Sequence, residues 1–259
     1  LCLGQEGISC KCDLVFEVRN REWLGHISQF YGVAFEPSHS CGISGWGEPM
    51  QPFVQELVRI QDEIREHFGW SLDADYESAL SLLESCKNPT PSLHLKGKVA
   101  VVGAAANPGH IPKIPTIVAD GAIGAIVDYS KVVLIVSDGD GSPHIEKALN
   151  KGIPIILHAH GDNVNAWKYI LSIVDENQQL LLTHQTPHNI EGMYNPGGFT
   201  DGDRAVCIAF ALGATEVELV GFSTDEVGRW SGVTDEKRKL MKLKWMNEVL
   251  KLLSLEAGK

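Results

Sequence analysis

Six short apolar runs, separated by segments of helical character, constrain the fold of this chain more than any other feature. Nearly every residue in these runs is apolar, whereas a strand with one face in solvent would alternate apolar and polar residues. Such runs alternating with helices indicate βαβ units, a parallel sheet and right-handed connections. The sequence therefore predicts an α/β, Rossmann-like fold, with a mostly parallel sheet and flanking helices, from the runs 99–102, 116–119, 132–136, 154–157, 179–182 and 217–220.

The segment before these runs has the periodicity of two helices. Apolar residues spaced three and four apart predict an amphipathic helix over 52–67, which Gly69 ends. A second helix is predicted over 73–86, with an inner face made of Tyr76, Ala79, Leu80 and Leu83.

These patterns divide the chain into three parts. Residues 1–49 show no sustained periodicity and are predicted to be an N-terminal extension of unknown role. A small helical N-terminal part covers 50–95, and a Rossmann-like catalytic domain covers 96–259. Met50 directly precedes the ordered pattern, so it is a candidate natural start of the chain.

Composition excludes several classes of function. The formal net charge is -11, and such a surface repels a nucleic-acid backbone unless a local basic groove is present. No apolar stretch is long enough to span a bilayer, and the first residues do not have the pattern of a secretory signal. We therefore expect neither nucleic acid nor a membrane as a partner.

The cysteines favour a reducing compartment. Four of the six lie in the first 41 residues, whereas a secreted disulfide scaffold is short and rich in cysteine throughout. Cys10 and Cys12, with His39 and Cys41, offer zinc-type ligands, but their spacing matches no strong zinc motif. A cytoplasmic protein is expected.

Polar side chains follow the predicted strands, at the edge where open parallel sheets bind ligands. Asp138 and Asp140 come directly after one run, within Ser-Asp-Gly-Asp-Gly. Two carboxylates with no basic residue between them suit Mg²⁺, which takes one or two carboxylates together with substrate phosphates. The alternative is an acidic turn, since Asp and Gly also form turns; the position at the strand end favours the metal.

Three further groups are candidate contacts. After the next run come His158, His160, Asp162 and Asn163, which could bind a metal or a phosphate, or could hydrogen-bond within the loop and cap a helix. A glycine-rich entry to a helix carries Gly198, Thr200, Asp201, Asp203 and Arg204, where Thr200 and Asp203 have capping-box spacing and Arg204 is a candidate phosphate clamp. The last predicted helix carries Lys239 and Lys242 three residues apart, either facing one ligand or forming part of a solvated basic face.

Taken in order, these residues resemble a known family. Asp120-Gly121, the run SDGDG at 137–141, HAHGDN at 158–163, GGFTDGDR at 197–204 and the late lysines are similar to the archaeal 6-hydroxymethyl-7,8-dihydropterin pyrophosphokinases. The resemblance covers roughly Phe53 to the C-terminus. It implies Mg²⁺- and ATP-dependent transfer of a diphosphoryl group to the pterin hydroxymethyl group, with release of AMP, in folate or methanopterin-type cofactor synthesis.

The resemblance and the residue chemistry together give each candidate a role. Asp138 and Asp140 would hold Mg²⁺, and Arg204 would neutralise the charge that develops on the phosphates. The phosphates or the acceptor hydroxyl would be oriented by His158, His160, Asp162 and Asn163. The pterin would contact Asp120, Thr186, Gly198, Thr200, Asp201 and Asp203, with the Asp120 carboxylate matching the paired donors of its amino-pyrimidine edge. ATP would contact Gly103, Asn107, Lys239 and Lys242.

The chain departs from the family pattern at two places, and two other functions stay open. Gly103-Ala-Ala-Ala-Asn107-Pro108 replaces the usual G-x-G-P-S, and Ser223 stands near where an acidic residue is expected. A nucleotide-sugar glycosyltransferase would release a different nucleotide, and a non-catalytic nucleotide-binding module would bind ATP without turnover. Homodimer formation is left open by the sequence.

Overall fold

The computed structural model describes residues 55–87, 93–232 and 234–257. All of them belong to one compact unit that spans residues 45–259. The predicted extension at 1–49, its cysteines and Met50 lie outside the described residues. The division between a helical part and a catalytic domain near residue 95 stays a prediction.

The described residues contain six strands and six α-helices. The strands are β1 (Gly97–Val102), β2 (Thr116–Ala119), β3 (Val132–Ser137), β4 (Ile155–Ala159), β5 (Leu180–His184) and β6 (Ala214–Val220). The helices are α1 (Gln55–Phe68), α2 (Leu72–Ser85), α3 (His144–Leu149), α4 (Val164–Ile173), α5 (Asp201–Ala211) and α6 (Glu236–Leu252).

Within the described residues the strands form one sheet in the order β5-β4-β3-β2-β1-β6, and every pairing is parallel. The predicted Rossmann-like α/β fold is therefore confirmed. The chain builds the sheet outward from β1 to β5 and then returns to place β6 on the other side of β1. This reversal creates a topological switch point between β1 and β6, where ligands bind in folds of this kind.

Helices cover both faces of the sheet, which explains why the strands are apolar throughout. Alternate strand residues such as Val101 and Val102 enter different clusters, one with α1, α5 and α6 and the other with α2, α3 and α4. Burying each such side chain contributes roughly 1.5–3 kcal/mol. Because α1 and α2 lie on opposite faces, the turn between them at residues 69–71 crosses the carboxyl edge of the strands.

Two local predictions need correction. Strands β4 and β5 continue two residues beyond the predicted runs, so His158 lies inside a strand and is fully buried. Helix α2 buries Asp75, Ser78, Ala79 and Leu82, whereas the predicted inner-face residues Tyr76, Leu80 and Leu83 are only half-buried. In both places hydrogen bonds, described below, let polar side chains occupy positions that an apolar pattern does not mark.

No helix in the described part of the chain has the length and apolar character needed to cross a membrane.

Candidate active site

A cavity of about 410 Å³ opens at the carboxyl edge of the sheet. Its walls come from the turn between α1 and α2 and the start of α2, the segments that follow all six strands, the first turn of α5, and the N-terminal half of α6 up to Met246. Residues far apart in sequence meet here because every parallel strand ends at this edge.

Three aspartates form the acidic centre of the cavity. Carboxylate oxygens of Asp120, Asp138 and Asp140 lie within 4.8 Å of one another. Asp201, at the start of α5, lines the same cavity. Burial and the charges of Asp201, Asp138 and Asp140 raise the pKa of Asp120 well above its ordinary value. Burial, then the charge of Asp138, raises the pKa of Asp201 to about 7.

The donor set fits a hard divalent cation. Burial first, and then the neighbouring negative charges, raise the pKa values of Asp120, Asp140 and Asp201, and a bound cation would favour their ionised forms. Oxygen ligands are those that Mg²⁺ prefers. Asp120, which the sequence predicts to contact the pterin, lies beside Asp138 and Asp140; its contact with the pterin stays a prediction.

Local packing holds this acidic cluster in place. Ser137 Oγ donates to Asp120 Oδ1 at 2.5 Å and accepts the Gly139 N–H at 2.8 Å. A Cβ at Gly141 would lie 2.6 Å from Asp120 Oδ1, so a larger residue would displace the carboxylate. The glycines of the Asp-Gly-Asp-Gly run therefore serve packing as well as turning.

His160 connects the acidic centre to the segment after β4. Its Nε2 lies 3.2 Å from Asp138 Oδ2, and its Nδ1 lies 2.5 Å from Asp162 Oδ1. Burial alone would lower the pKa of His160, but the hydrogen bonds to both carboxylates raise it to about 9. Burial would raise the pKa of Asp138, yet the hydrogen bond and charge of His160, with Arg204, lower it to about 2. The two carboxylates therefore favour the imidazolium form of His160.

His158 and Asn163 support this segment from behind the cavity wall. Asn163 accepts the His160 N–H at 2.9 Å and donates to the carbonyl oxygens of Asp138 and His158. His158 Nδ1 lies 3.0 Å from Thr183 Oγ1. Burial, then the charge of Arg204, lowers the pKa of His158 well below its ordinary value, so this imidazole is neutral.

A buried ionic network that the sequence reasoning missed anchors the same segment to α2. Asp75, 3% exposed, accepts the Gly161 N–H at 2.8 Å, Gln185 Nε2 at 2.8 Å and Arg65 Nε at 3.3 Å. Arg65 also donates to the Gln185 carbonyl oxygen at 2.8 Å. One available signal was Arg65 itself, since it stands in the apolar stripe of α1 next to Ile64.

The glycine-rich entry to α5 is fixed by its own aspartate. Asp203 is fully buried and accepts the N–H groups of Phe199 at 2.7 Å and Thr200 at 2.8 Å, as the capping-box spacing predicts. Gly198 has φ 84°, and a Cβ there would lie 2.4 Å from Arg204 Cα, so this position requires glycine.

Arg204 and two lysines bring positive charge to the cavity. Arg204 is 2% exposed; it donates to the Phe199 carbonyl oxygen at 2.8 Å, while its Nε has no hydrogen-bond partner among the described residues. Lys239 and Lys242 line the cavity from α6. Burial, then the charges of Lys239 and Arg238, lowers the pKa of Lys242. The cavity therefore combines a carboxylate cluster with cations that can contact phosphate oxygens.

Comparison with known proteins decides the family. The chain is 32% identical to the 6-hydroxymethyl-7,8-dihydropterin pyrophosphokinase of Pyrococcus furiosus over 228 residues, which cover 80% of this chain and 93% of that protein. The chain belongs to the 6-hydroxymethyl-7,8-dihydropterin pyrophosphokinase family. Two further members are each 34% identical: that of Methanothermobacter thermautotrophicus, covering 67% of this chain and 80% of that protein, and that of Methanocaldococcus jannaschii, covering 65% and 78%. No protein-family model matches the chain.

In this pyrophosphokinase-family chain the predicted site residues separate into two groups. The cavity is lined by Gly103, Asp120, Asp138, Asp140, His160, Asp162, Thr200, Asp201, Arg204, Lys239 and Lys242. Outside its lining lie Asn107, His158, Asn163, Thr186, Gly198 and Asp203. Thr186, for example, is buried against His184, with its Oγ1 3.2 Å from His184 Nδ1.

The loops at the switch point pack tightly on one another. A Cβ at Gly103 would lie 2.8 Å from the Gly221 carbonyl oxygen, and one at Gly228 would lie 2.3 Å from the Ala104 carbonyl carbon. Glycine is therefore needed here for the loops to pack on one another. Trp230 closes this end of the cavity, donating its Nε1 to the Ala106 carbonyl oxygen at 2.9 Å.

Proposed function

We propose that this chain transfers the diphosphoryl group of ATP to the hydroxymethyl oxygen of 6-hydroxymethyl-7,8-dihydropterin, with Mg²⁺, and releases AMP. The observation that carries the proposal is the carboxylate cluster facing Arg204, Lys239 and Lys242 in one cavity, in a chain whose relatives bear the name of this activity. The product would serve folate or methanopterin-type cofactor synthesis, in the predicted cytoplasmic location.

The reaction forms one bond and breaks one. The acceptor hydroxyl oxygen attacks the β-phosphorus, and the bond from the β-phosphorus to the oxygen bridging it to the α-phosphorus breaks. That oxygen leaves on AMP, while the acceptor proton is released. Charge is spread over three phosphoryl groups, so positioning and charge neutralisation dominate over covalent catalysis.

Asp120, Asp138 and Asp140 would hold Mg²⁺, and Asp201, which lines the same cavity, adds negative charge nearby. When bound, the ion neutralises phosphate oxygens and helps to orient the triphosphate. Ser137 and Gly141 fix Asp120 beside the other two carboxylates through contacts within the protein. Preorganisation of this kind reduces the cost of arranging charge during the reaction.

The cations would contact the parts of the triphosphate that the carboxylates cannot. Arg204, whose Nε has no hydrogen-bond partner in the described part of the chain, and the ammonium groups of Lys239 and Lys242 would supply donors from two different helices. His160 lines the same cavity and lies between Asp138 and Asp162. A spread of charge along the whole triphosphate suits attack at the β-phosphorus better than a single γ-phosphate clamp would.

A product assay tests the proposal. Protein, ATP, Mg²⁺ and the reduced pterin are incubated, and the nucleotides are resolved by ion-exchange chromatography. We expect AMP, formed only when the pterin is present, and its loss in Asp138→Asn. Asp128→Asn is the matched control, because Asp128 follows β2 but lies outside the cavity and accepts the Ser130 N–H.

Three results would contradict the proposal. ADP as the sole nucleotide product would indicate attack at the γ-phosphorus. Binding of ATP without turnover would favour a nucleotide-binding module. Release of a nucleotide from a sugar nucleotide, with no reaction of ATP, would favour a glycosyltransferase.

A further inference from the structure

An aromatic wall stands beside the charged centre of the cavity. Trp70, in the turn between α1 and α2, is half-buried and lines the cavity. Phe68 stacks on it with ring centroids 4.7 Å apart and planes 13° apart. Phe199 lies 5.8 Å from each of these rings and also lines the cavity. The cavity therefore has one face suited to a flat heterocycle.

We propose that Trp70 is the stacking platform for the bicyclic ring of the acceptor pterin, while the nucleoside of ATP occupies the loops after β1 and β6. The inference rests on the proposed function and deepens it, since it assigns the acceptor ring to a particular side chain.

Both tryptophans that line the cavity have a cation beside the ring, with the Arg238 guanidinium 5.8 Å from the Trp70 ring centroid; what distinguishes Trp70 is its indole N–H. Trp230 has its indole N–H bonded to Ala106, His144 edge-on at 5.3 Å and the Arg229 guanidinium 4.9 Å from its ring centroid. The Trp70 indole N–H has no hydrogen-bond partner among the described residues. Half-buried indoles with a free N–H combine stacking area with a donor that an acceptor nitrogen or oxygen of a ligand can use.

The distance from the ring to the reacting atoms distinguishes the pterin from adenine as the ligand of this aromatic wall. The pterin's reacting oxygen is one carbon away from its ring, whereas adenine is separated from the β-phosphorus by the ribose and the α-phosphate. The acceptor ring must therefore lie close to the groups that bind the transferred phosphates. Lys242 Nζ makes this connection: it lies 5.4 Å from the Trp70 ring centroid and 5.8 Å from that of Phe199, and its charge interacts with Asp138 and Asp201.

The topology of the sheet indicates a separate binding position for the nucleoside of ATP. The strand order reverses between β1 and β6, where Rossmann-like folds bind nucleotides. Gly103, Gly221, Phe222 and Ser223 line the cavity at this point. The carboxylates that follow β2 and β3 stand next along the sheet, so a triphosphate entering from the switch point would run toward Asp138.

Calorimetric titration of Trp70→Leu tests the assignment. The reduced pterin is titrated in the presence of Mg²⁺ and saturating α,β-methylene-ATP, which cannot be cleaved at the β-phosphorus; the ATP analogue is titrated separately. Stacking on an aromatic side chain is worth about 1–3 kcal/mol, so pterin affinity should fall about 5- to 150-fold. Affinity for the analogue should change less than about threefold, and Trp70→Phe should lose less than Trp70→Leu.

Trp245→Leu is the matched control. Trp245 is half-buried and packs edge-on to His67 at 5.4 Å, outside the cavity lining, so its loss should leave both affinities unchanged. Equal weakening of both ligands in Trp70→Leu, weakening of the analogue alone, or an unchanged pterin affinity would overturn the assignment. Wild-type protein that binds the pterin but forms no AMP would contradict the proposed function. The effect of Trp70→Leu on pterin affinity could still be measured in that case.

Discussion

Replacement of Asp75 by asparagine should destabilise the protein strongly, although Asp75 contacts no reacting group in the proposed mechanism. Its carboxylate accepts from Gly161, Gln185 and Arg65, and the side chains of Arg65 and Asp75 are only 8% and 4% exposed. Asparagine keeps one acceptor oxygen, but its NH₂ group is a donor and would face the N–H donors of Gly161, or of Gln185 and Arg65. The Arg65 charge then loses its most buried partner.

The magnitude follows from the burial of this pair. Breaking a buried ion pair by removing one charge costs about 3–5 kcal/mol. For a chain of this size each kcal/mol corresponds to about 2–4 °C in melting temperature, so we expect Asp75→Asn to lower it by about 6–20 °C. The measurement is thermal unfolding followed by circular dichroism, with urea titration as the independent check.

Asp73→Asn provides the comparison for the same chemical change on the same helix. Asp73 is exposed in the first turn of α2, where a carboxylate is worth about 0.3–1 kcal/mol. If Asp75→Asn were no more destabilising than Asp73→Asn, the network would not hold α2 to the segment after β4. Asp75 would then not be the residue that positions Gly161 and His160.

Three further predictions concern the charged centre. Asp138→Asn should lower turnover at least about 100-fold, which corresponds to about 3 kcal/mol of transition-state stabilisation. The control Asp128→Asn should leave the rate unchanged. Equal rates for the two variants would show that Asp138 does not bind the metal. Lys242→Ala should reduce the rate less than Asp138→Asn, because other cations remain, and steady-state kinetics on both variants check the order. With a metal chelator present, the ion pairs of His160 should stabilise the fold fully below pH 6.5, and this stabilisation should be lost as the pH rises through about 9. Urea titrations across this pH range should show that the free energy of unfolding of the wild-type protein falls by up to about 3 kcal/mol. The His160→Gln variant should not show this decrease.

The sheet could be predicted from the sequence because its signal is local. Each strand is a short run of apolar residues, and burial on both faces leaves no polar positions to confuse the pattern. The prediction for β2 matches the structure residue for residue, at Thr116–Ala119. The ends of β4 and β5 were missed because His158 and His184 are polar, and only their hydrogen bonds inside the fold allow them to continue a buried strand.

The site could be predicted only in part, for a different reason. The carboxylates after β2 and β3 were found because parallel strands bring their carboxyl ends to one edge. Asp75 and Trp70 were missed because they lie before the sheet begins, and their place in the cavity depends on α1 and α2 packing on opposite faces. No spacing in the sequence encodes that arrangement.

The fate of the two outer phosphates tests the central claim most directly. ATP radiolabelled at the β-phosphorus and, separately, at the γ-phosphorus is incubated with Mg²⁺, the reduced pterin and the protein, and the labelled products are separated. We predict that both labels appear together on the pterin product and that the released AMP carries neither. Transfer of the γ-label alone, with the β-label retained in ADP, would contradict it.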